Sequence, residues 1–189
     1  MLTLLAALTL VPAQADFPTQ ALGIGYVQTA EGRSIKVSVP HKKATVLFFI
    51  TVDCPIANRY APEMARIAKE YASKGFAFIR VYPEKVLSAE TVAKHGRDFK
   101  LHLMPAIIDD KHFIVDKVNP KVTPEAAVVA ADGRLLYRGR IDAAYMDHGR
   151  FTETPERRDL REALADILSN RAVRLKHVPA IGCDIPDIN

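Results

Sequence analysis

The chain has no tryptophan, two cysteines, and no run of apolar residues long enough to span a bilayer. The longest apolar stretch, Leu2–Val11, is about half of the roughly 20 residues that a transmembrane helix needs. Charge of one sign is not concentrated either. The net charge is +4 over 189 residues, and Lys42-Lys43 and Arg157-Arg158 are only short pairs. A nucleic-acid surface needs a denser basic stripe with interleaved aromatics, so no nucleic-acid partner is expected. Gly23-Ile24-Gly25 lacks the third glycine of a dinucleotide loop, because Gln28 stands there and no helix pattern follows. The six histidines form no H-x-H or H-E-x-x-H spacing. No cofactor and no resident metal are expected.

What is present begins with a leader. "MLTLLAALTLVPAQA" is a short apolar core followed by Ala13-Gln14-Ala15, a small-x-small cleavage signal, although no Lys or Arg precedes the core. Residues 1–15 are read as a signal peptide. The protein is then exported, periplasmic or secreted, with no stable membrane insertion after cleavage. An oxidising compartment permits one disulfide between Cys54 and Cys183.

Residues 16–43 read as an N-terminal hairpin extension, with "IGYVQ" and "SIKVSV" flanking Glu31-Gly32. "ATVLFFI", residues 44–50, has the continuous apolar pattern of a strand buried on both faces. Ile56, Tyr60, Met64, Ile67 and Tyr71 then recur at helical spacing, with Pro62 inside the pattern and Gly75 at its end. "FAFIRV", residues 76–81, is a second strand, which makes a βαβ unit with a parallel pair. Ser88 caps a further helix running to about Phe99. "PAIIDD" and "HFIVDKVN" give a short strand or loop and a short helix. "EAAVVA" and "RLLYRG" flank Asp132-Gly133, a two-residue hairpin signal. Thr154-Pro155 is read as the cap and first position of a last helix. After Asn170 the chain reads as an extended tail, residues 171–189, carrying Cys183. The expected fold is α/β: a central mixed sheet with helices on both faces over residues 44–170.

The chemistry centres on Cys54, at the corner where a buried strand ends and a helix begins. Free backbone N–H groups and the helix dipole favour an anion there. An ordinary thiol is only about 3% thiolate at pH 7, whereas one of pKa near 6.5 is roughly three-quarters thiolate. The thiolate is the attacking species. Pro55 suits the first helical turn, and Asp53 opposes thiolate formation. The small-hydrophobe reading of Cys54 is less in keeping with that corner.

"TVLFFITVDCPIANRYAPEM" resembles the first strand, active-site turn and kinked helix of the thioredoxin-like superfamily, in particular its redoxin branch of alkyl hydroperoxide reductases and thiol-specific antioxidant proteins. "VTPEAAVVAADGRLLYRGRID" resembles the segment that begins at the superfamily's cis-proline. The resemblance covers roughly residues 40–170. It implies that Pro124 is that proline, packed opposite Cys54, and that Thr123 offers backbone to a substrate. It also implies an external thiol reductant and a protein or small-molecule disulfide, or a peroxide, as substrate. The pattern departs from two branches. Ala57 stands where thioredoxins carry their second cysteine. Thr51 and Cys54 match the peroxiredoxin motif, but Leu47 replaces its proline and its arginine has no counterpart at Thr123-Pro124. Arg80, Arg138 and Arg140 are the available substitutes. The copper-delivery relatives place a second cysteine where this chain has Asn58; His102 or His112 near the cysteines is the remaining metal reading.

Thirteen residues separate Asn170 from Cys183, enough to reach up to about 45 Å when extended. A domain of this size is roughly 40 Å across, so the tail can reach the Cys54 corner. Such a bond would stabilise the fold by at most about 5 kcal/mol in the chain-entropy picture. Three roles for Cys183 remain open: it resolves Cys54 during turnover, it forms a permanent staple in a non-catalytic binding module, or it stays free or joins another chain.

Overall fold

The computed structural model describes residues 17–145 and 149–187; the leader lies outside the described residues. The chain enters through a short antiparallel hairpin, β1 (Tyr26–Gln28) and β2 (Ser34–Lys36). Next comes β3 (Ala44–Phe49), buried at every position. Its side chains alternate as strand geometry requires. Val46 and Phe48 enter one core and Leu47 and Phe49 the other. A wholly apolar run is therefore needed, because β3 has no solvent face.

The helix α1 (Pro55–Ala72) follows, and Pro62 lies within it. Gly75 has φ 93°, a left-handed conformation suited to glycine, and turns the chain into β4 (Phe76–Tyr82), parallel to β3. Ser88 caps α2 (Ala89–Asp98), its hydroxyl accepting from the Thr91 N–H at 3.1 Å. The strand β5 (Ala106–Ile108) runs parallel to β4. The short α3 (Phe113–Val118) is capped by Asp109, whose carboxylate accepts from the Ile114 and Val115 N–H groups at 2.9 Å each. The two-residue β6 (Val122–Thr123) precedes β7 (Glu125–Ala130) and β8 (Leu135–Gly139). After α4 (Asp159–Leu168) the tail supplies β9 (His177–Val178) and β10 (Cys183–Asp184).

The six-stranded sheet has the order β5-β4-β3-β7-β8-β9, mixed parallel and antiparallel. On one face lie α1, α4 and Val92 of α2; on the other lie α3 and the N-terminal segment through Leu22, Ile24 and Val37. The predicted α/β arrangement is the observed one.

Three local readings change. The β7–β8 loop takes three residues, Ala131 to Gly133: Ala130 N–H reaches the Arg134 carbonyl at 2.9 Å, and Gly133 sits at φ 86°. That is the three-residue hairpin with a glycine in the left-handed position. The last helix begins at Asp159, not Pro155. The backbone before it is held elsewhere, with Ala143 N–H on the Arg157 carbonyl and Leu160 N–H on the Ile141 carbonyl. Finally, the tail is not merely extended. It adds β9 in parallel beside β8, where Gly139 lets it approach: a Cβ there would lie 2.1 Å from the Val178 carbonyl oxygen.

Candidate redox site

Because β3 and β4 are parallel, their carboxyl ends lie side by side. The loop leaving β3 carries Thr51, Val52, Asp53 and Cys54, and the loop leaving β4 carries Glu84. Cys54 is the N-cap of α1. Its backbone is extended (φ −76°, ψ 111°), its Sγ accepts from the Ala57 N–H at 3.4 Å, and Pro55 fills the first helical turn. That N–H and the helix dipole both stabilise negative charge on sulfur.

Opposite stands the Thr123–Pro124 peptide, which is cis. Cys54 Sγ lies 3.1 Å from the Thr123 carbonyl oxygen, and the Thr51 and Thr123 hydroxyls are hydrogen-bonded at 3.1 Å. The tail closes the site. Cys183 and Asp184 pair antiparallel with Thr123 and Val122, and Cys183 is disulfide-bonded to Cys54 across 129 residues of sequence. With no hydrogen on an oxidised sulfur, the Cys54–Thr123 approach is a contact; the reduced thiol would be placed to donate there. Gly182 makes the pairing possible, since a Cβ at that position would lie 2.3 Å from the Thr123 carbonyl oxygen. Thus Cys54, Cys183, Thr51, Thr123 and Pro124 come together, while Asp53 and Pro55 flank them on the exposed side.

The three arginines considered as peroxide-polarising groups are committed elsewhere. Arg80 donates to the Met104 carbonyl and to the Tyr82 hydroxyl; Arg138 lies against Glu125 and the Val118 carbonyl; Arg140 pairs with Asp159. His112 bonds the Pro83 carbonyl at 2.9 Å, and His102 is exposed.

Two supports of the Cys54 loop escaped the sequence reading. Glu84 accepts from the Val52 N–H at 3.1 Å, and its other oxygen is buried without a hydrogen-bond partner. Burial, and then the nearby Asp53 charge, push the Glu84 carboxyl above the usual range. The second support is a buried relay. Asn58 donates to the Val52 carbonyl at 3.0 Å and its Oδ1 meets His95 Nε2 at 2.8 Å; His95 Nδ1 meets the Tyr82 hydroxyl at 2.8 Å; Arg80 donates to that hydroxyl at 2.9 Å. The network assigns the proton of a neutral His95 to Nε2, because Tyr82 accepts from Arg80 and donates to Nδ1. Burial, followed by the Arg80 charge, lowers the His95 pKa to about 4. The parallel order of the two strands was the available signal for Glu84, since it brings the residues after each to one end of the sheet.

The fold, with a helix-capping cysteine facing a cis-proline peptide, defines a thioredoxin-like redoxin. The chain belongs to the AhpC/TSA family, whose model matches residues 16–138. No curated protein sequence matches it. Among solved structures it is similar to an uncharacterized conserved protein from Geobacillus kaustophilus, with 25% identity, TM-score 0.78, and coverage of 90% of this chain and 93% of that one. It also shares the fold of a putative thiol:disulfide interchange protein DsbE from Chlorobium tepidum, with 16% identity, TM-score 0.60, and coverage of 79% and 96%. A secreted Mycobacterium tuberculosis disulfide oxidoreductase homologous to Escherichia coli DsbE shares it too, with 17% identity, TM-score 0.52, and coverage of 78% and 96%. Among the described residues no helix is long and apolar enough to cross a membrane.

Proposed function

We propose that this protein is an exported thiol-disulfide oxidoreductase in which Cys54 is the nucleophile and Cys183 the resolving cysteine. The observation that carries the reading is the Cys54–Cys183 bond lying against the Thr123 backbone, beside the cis peptide at Pro124. The Cys54 thiolate attacks one sulfur of a substrate disulfide and displaces a thiolate, which takes a proton from water. Cys183 then attacks the Cys54 sulfur of the mixed disulfide, releases the second substrate thiol, and leaves the Cys54–Cys183 bond. An external dithiol returns both electrons. Its first thiolate attacks Cys183, the more exposed sulfur, and Cys54 leaves as the better-stabilised thiolate. Thr51 and Thr123 position the groove; Asp53 and Pro55 shape the corner. A disulfide substrate is favoured over a peroxide because the candidate arginines are committed to other partners. Export is supported by the apolar leader and by the secreted nature of one structural neighbour.

The test is intact mass with thiol alkylation under non-reducing conditions. The reduced protein should take up an alkyl group at each of its two cysteines. One equivalent of a small disulfide should convert it to the unalkylatable bonded form, which low-potential dithiols reverse. A bond that resists those dithiols would make Cys54–Cys183 a staple and the protein a binding module.

A further inference from the structure

The tail lies in the candidate redox site as a guest peptide would. Cys183 and Asp184 pair antiparallel with Thr123 and Val122, and the Cys183 sulfur is bonded to Cys54. With the tail in place Cys54 is 2% exposed and Thr123 is fully buried. A foreign sulfur therefore reaches Cys54 Sγ after the tail has left, through the space that it vacates. There the foreign cysteine takes the position of Cys183, because its sulfur must come within a bond length of the same Sγ. Its neighbours in sequence then meet the surfaces that now hold the neighbours of Cys183.

Those surfaces make unequal demands. Before the cysteine, Gly182 is buried against main chain. A Cβ there would lie 2.3 Å from the Thr123 carbonyl oxygen, 2.7 Å from its carbon and 3.1 Å from Val122 Cβ. The obstacle is the backbone leading into the cis peptide, not the end of a side chain that could turn away. Any larger residue must push the segment off Thr123. After the cysteine, Asp184 is exposed, so that position asks nothing of its side chain. Ile185 is partly buried and packs against the core cluster that contains Leu22, Val37 and Val118.

We infer that the groove at Val122–Thr123 selects substrates by the residue before the reacting cysteine. It takes extended protein segments of the form Gly-Cys-x-apolar, and the tail is its tethered occupant. The inference rests on the thiol-disulfide exchange proposed above and names the substrate class of that same site. In the selective step the Cys54 thiolate attacks the sulfur of the segment's cysteine. A bond from Cys54 to the segment forms, the segment's own disulfide breaks, and its other sulfur leaves as a thiolate that takes a proton from water. The tail then returns. Cys183 gives up its proton to water and attacks Cys54 Sγ, and the segment leaves as a thiolate that takes one up. Small disulfides, which have no chain to lay along Thr123, escape this selection.

The test uses the reduced Cys183→Ser protein, in which the mixed disulfide persists. Two peptides carry their cysteine as a disulfide with thionitrobenzoate: Ala-Ile-Gly-Cys-Asp-Ile-Pro and Ala-Ile-Ala-Cys-Asp-Ile-Pro. Released thionitrobenzoate gives the rates, and mass identifies the Cys54–peptide adduct. The glycine peptide should react at least about tenfold faster with the protein, whereas free N-acetylcysteine should consume the two at equal rates. Replacing the second isoleucine of the glycine peptide by Asp should slow it about fivefold. Adding Gly182→Val to Cys183→Ser should speed the glycine peptide, because the contact that excludes the alanine peptide then excludes the tail. The first phase of the reduced parent protein should show the same glycine-to-alanine ratio, with no dependence on how either variant folds. Equal rates for the two peptides, a faster alanine peptide, or no acceleration by Gly182→Val would each overturn the inference and leave the proposed exchange standing. Failure of Cys54 to react with any disulfide, small ones included, would overturn both.

Discussion

The two sulfurs of the disulfide are held by unlike parts of the molecule. Cys54 is 2% exposed and belongs to the core: it joins a wholly buried strand to an 18-residue helix, and its loop is clamped at Val52 by Glu84 and by Asn58. Cys183 is partly buried and sits on a two-residue strand, reached through another two-residue strand. One partner is preorganised by hydrogen bonds that do not depend on the disulfide. The other is held by short pairings, β9 on β8 and β10 on β6, by the close approach at Gly182, and by the bond itself. In the proposed cycle this is a division of labour: the rigid side would set the reactivity of sulfur, and the strap would set whether the groove beside Thr123 is covered.

Removal of either sulfur tests that contrast most severely. Cys54→Ser should leave no disulfide exchange above the uncatalysed rate, whereas Cys183→Ser should complete the first attack and stall as a mixed disulfide visible by mass. Equal behaviour of the two variants would erase the proposed distinction. Next, hydrogen exchange on reduced and oxidised protein should differ by at least about 100-fold at residues 182–185 and little at residues 44–72, because β9 stays paired with β8 when the cross-link is lost whereas β10 has only its two-residue pairing with β6.

The rigid side carries its own acid sensitivity. The His95 pKa falls from its usual value to about 4 on folding. The unfolded chain therefore binds a proton that the folded one refuses, and stability is lost as pH drops from about 6.5 to 4. The loss is about 2 to 3 kcal/mol by linkage. His95→Gln should flatten that part of the profile in thermal melts. On the strap side, Gly182→Ala should slow formation of the intramolecular bond about tenfold, since Thr123 must move; an unchanged rate measured by quenched alkylation would show the strap to be more compliant than the contact implies. The smallest effect belongs to Glu84. Its carboxyl is raised, so the folded state holds its proton to higher pH than the unfolded state does. Stability then falls as pH rises from the ordinary glutamate range through the raised value. Glu84→Gln should gain on the parent protein across that window.

The same division governs what could be read from the sequence. The strand Ala44–Phe49, the helix begun by Cys54 and Pro55, and the Thr123–Pro124 segment were legible because periodicity and local chemistry are strong there. Nothing local marks Asp109 or Glu84, because their roles depend on which chain ends lie side by side. Arg80 and Tyr82 sit inside an apolar strand pattern, and nothing local says that they hold His95 and, through Asn58, the Cys54 loop. The tail was the least legible: "HV" and "CD" are too short to carry a strand signal, and their pairing is decided by glycines 139 and 182 on either side of the contacts.

The 129-residue separation of the two cysteines also has a consequence during biosynthesis. At a synthesis rate of about 10 residues per second, Cys54 appears on the order of ten seconds before Cys183 exists. For that interval its only possible disulfide partners are foreign thiols. The finished intramolecular bond is therefore reached either by late closure of a free Cys54 or by displacing whatever it met first, and the oxidised protein is a record that translation passed residue 183.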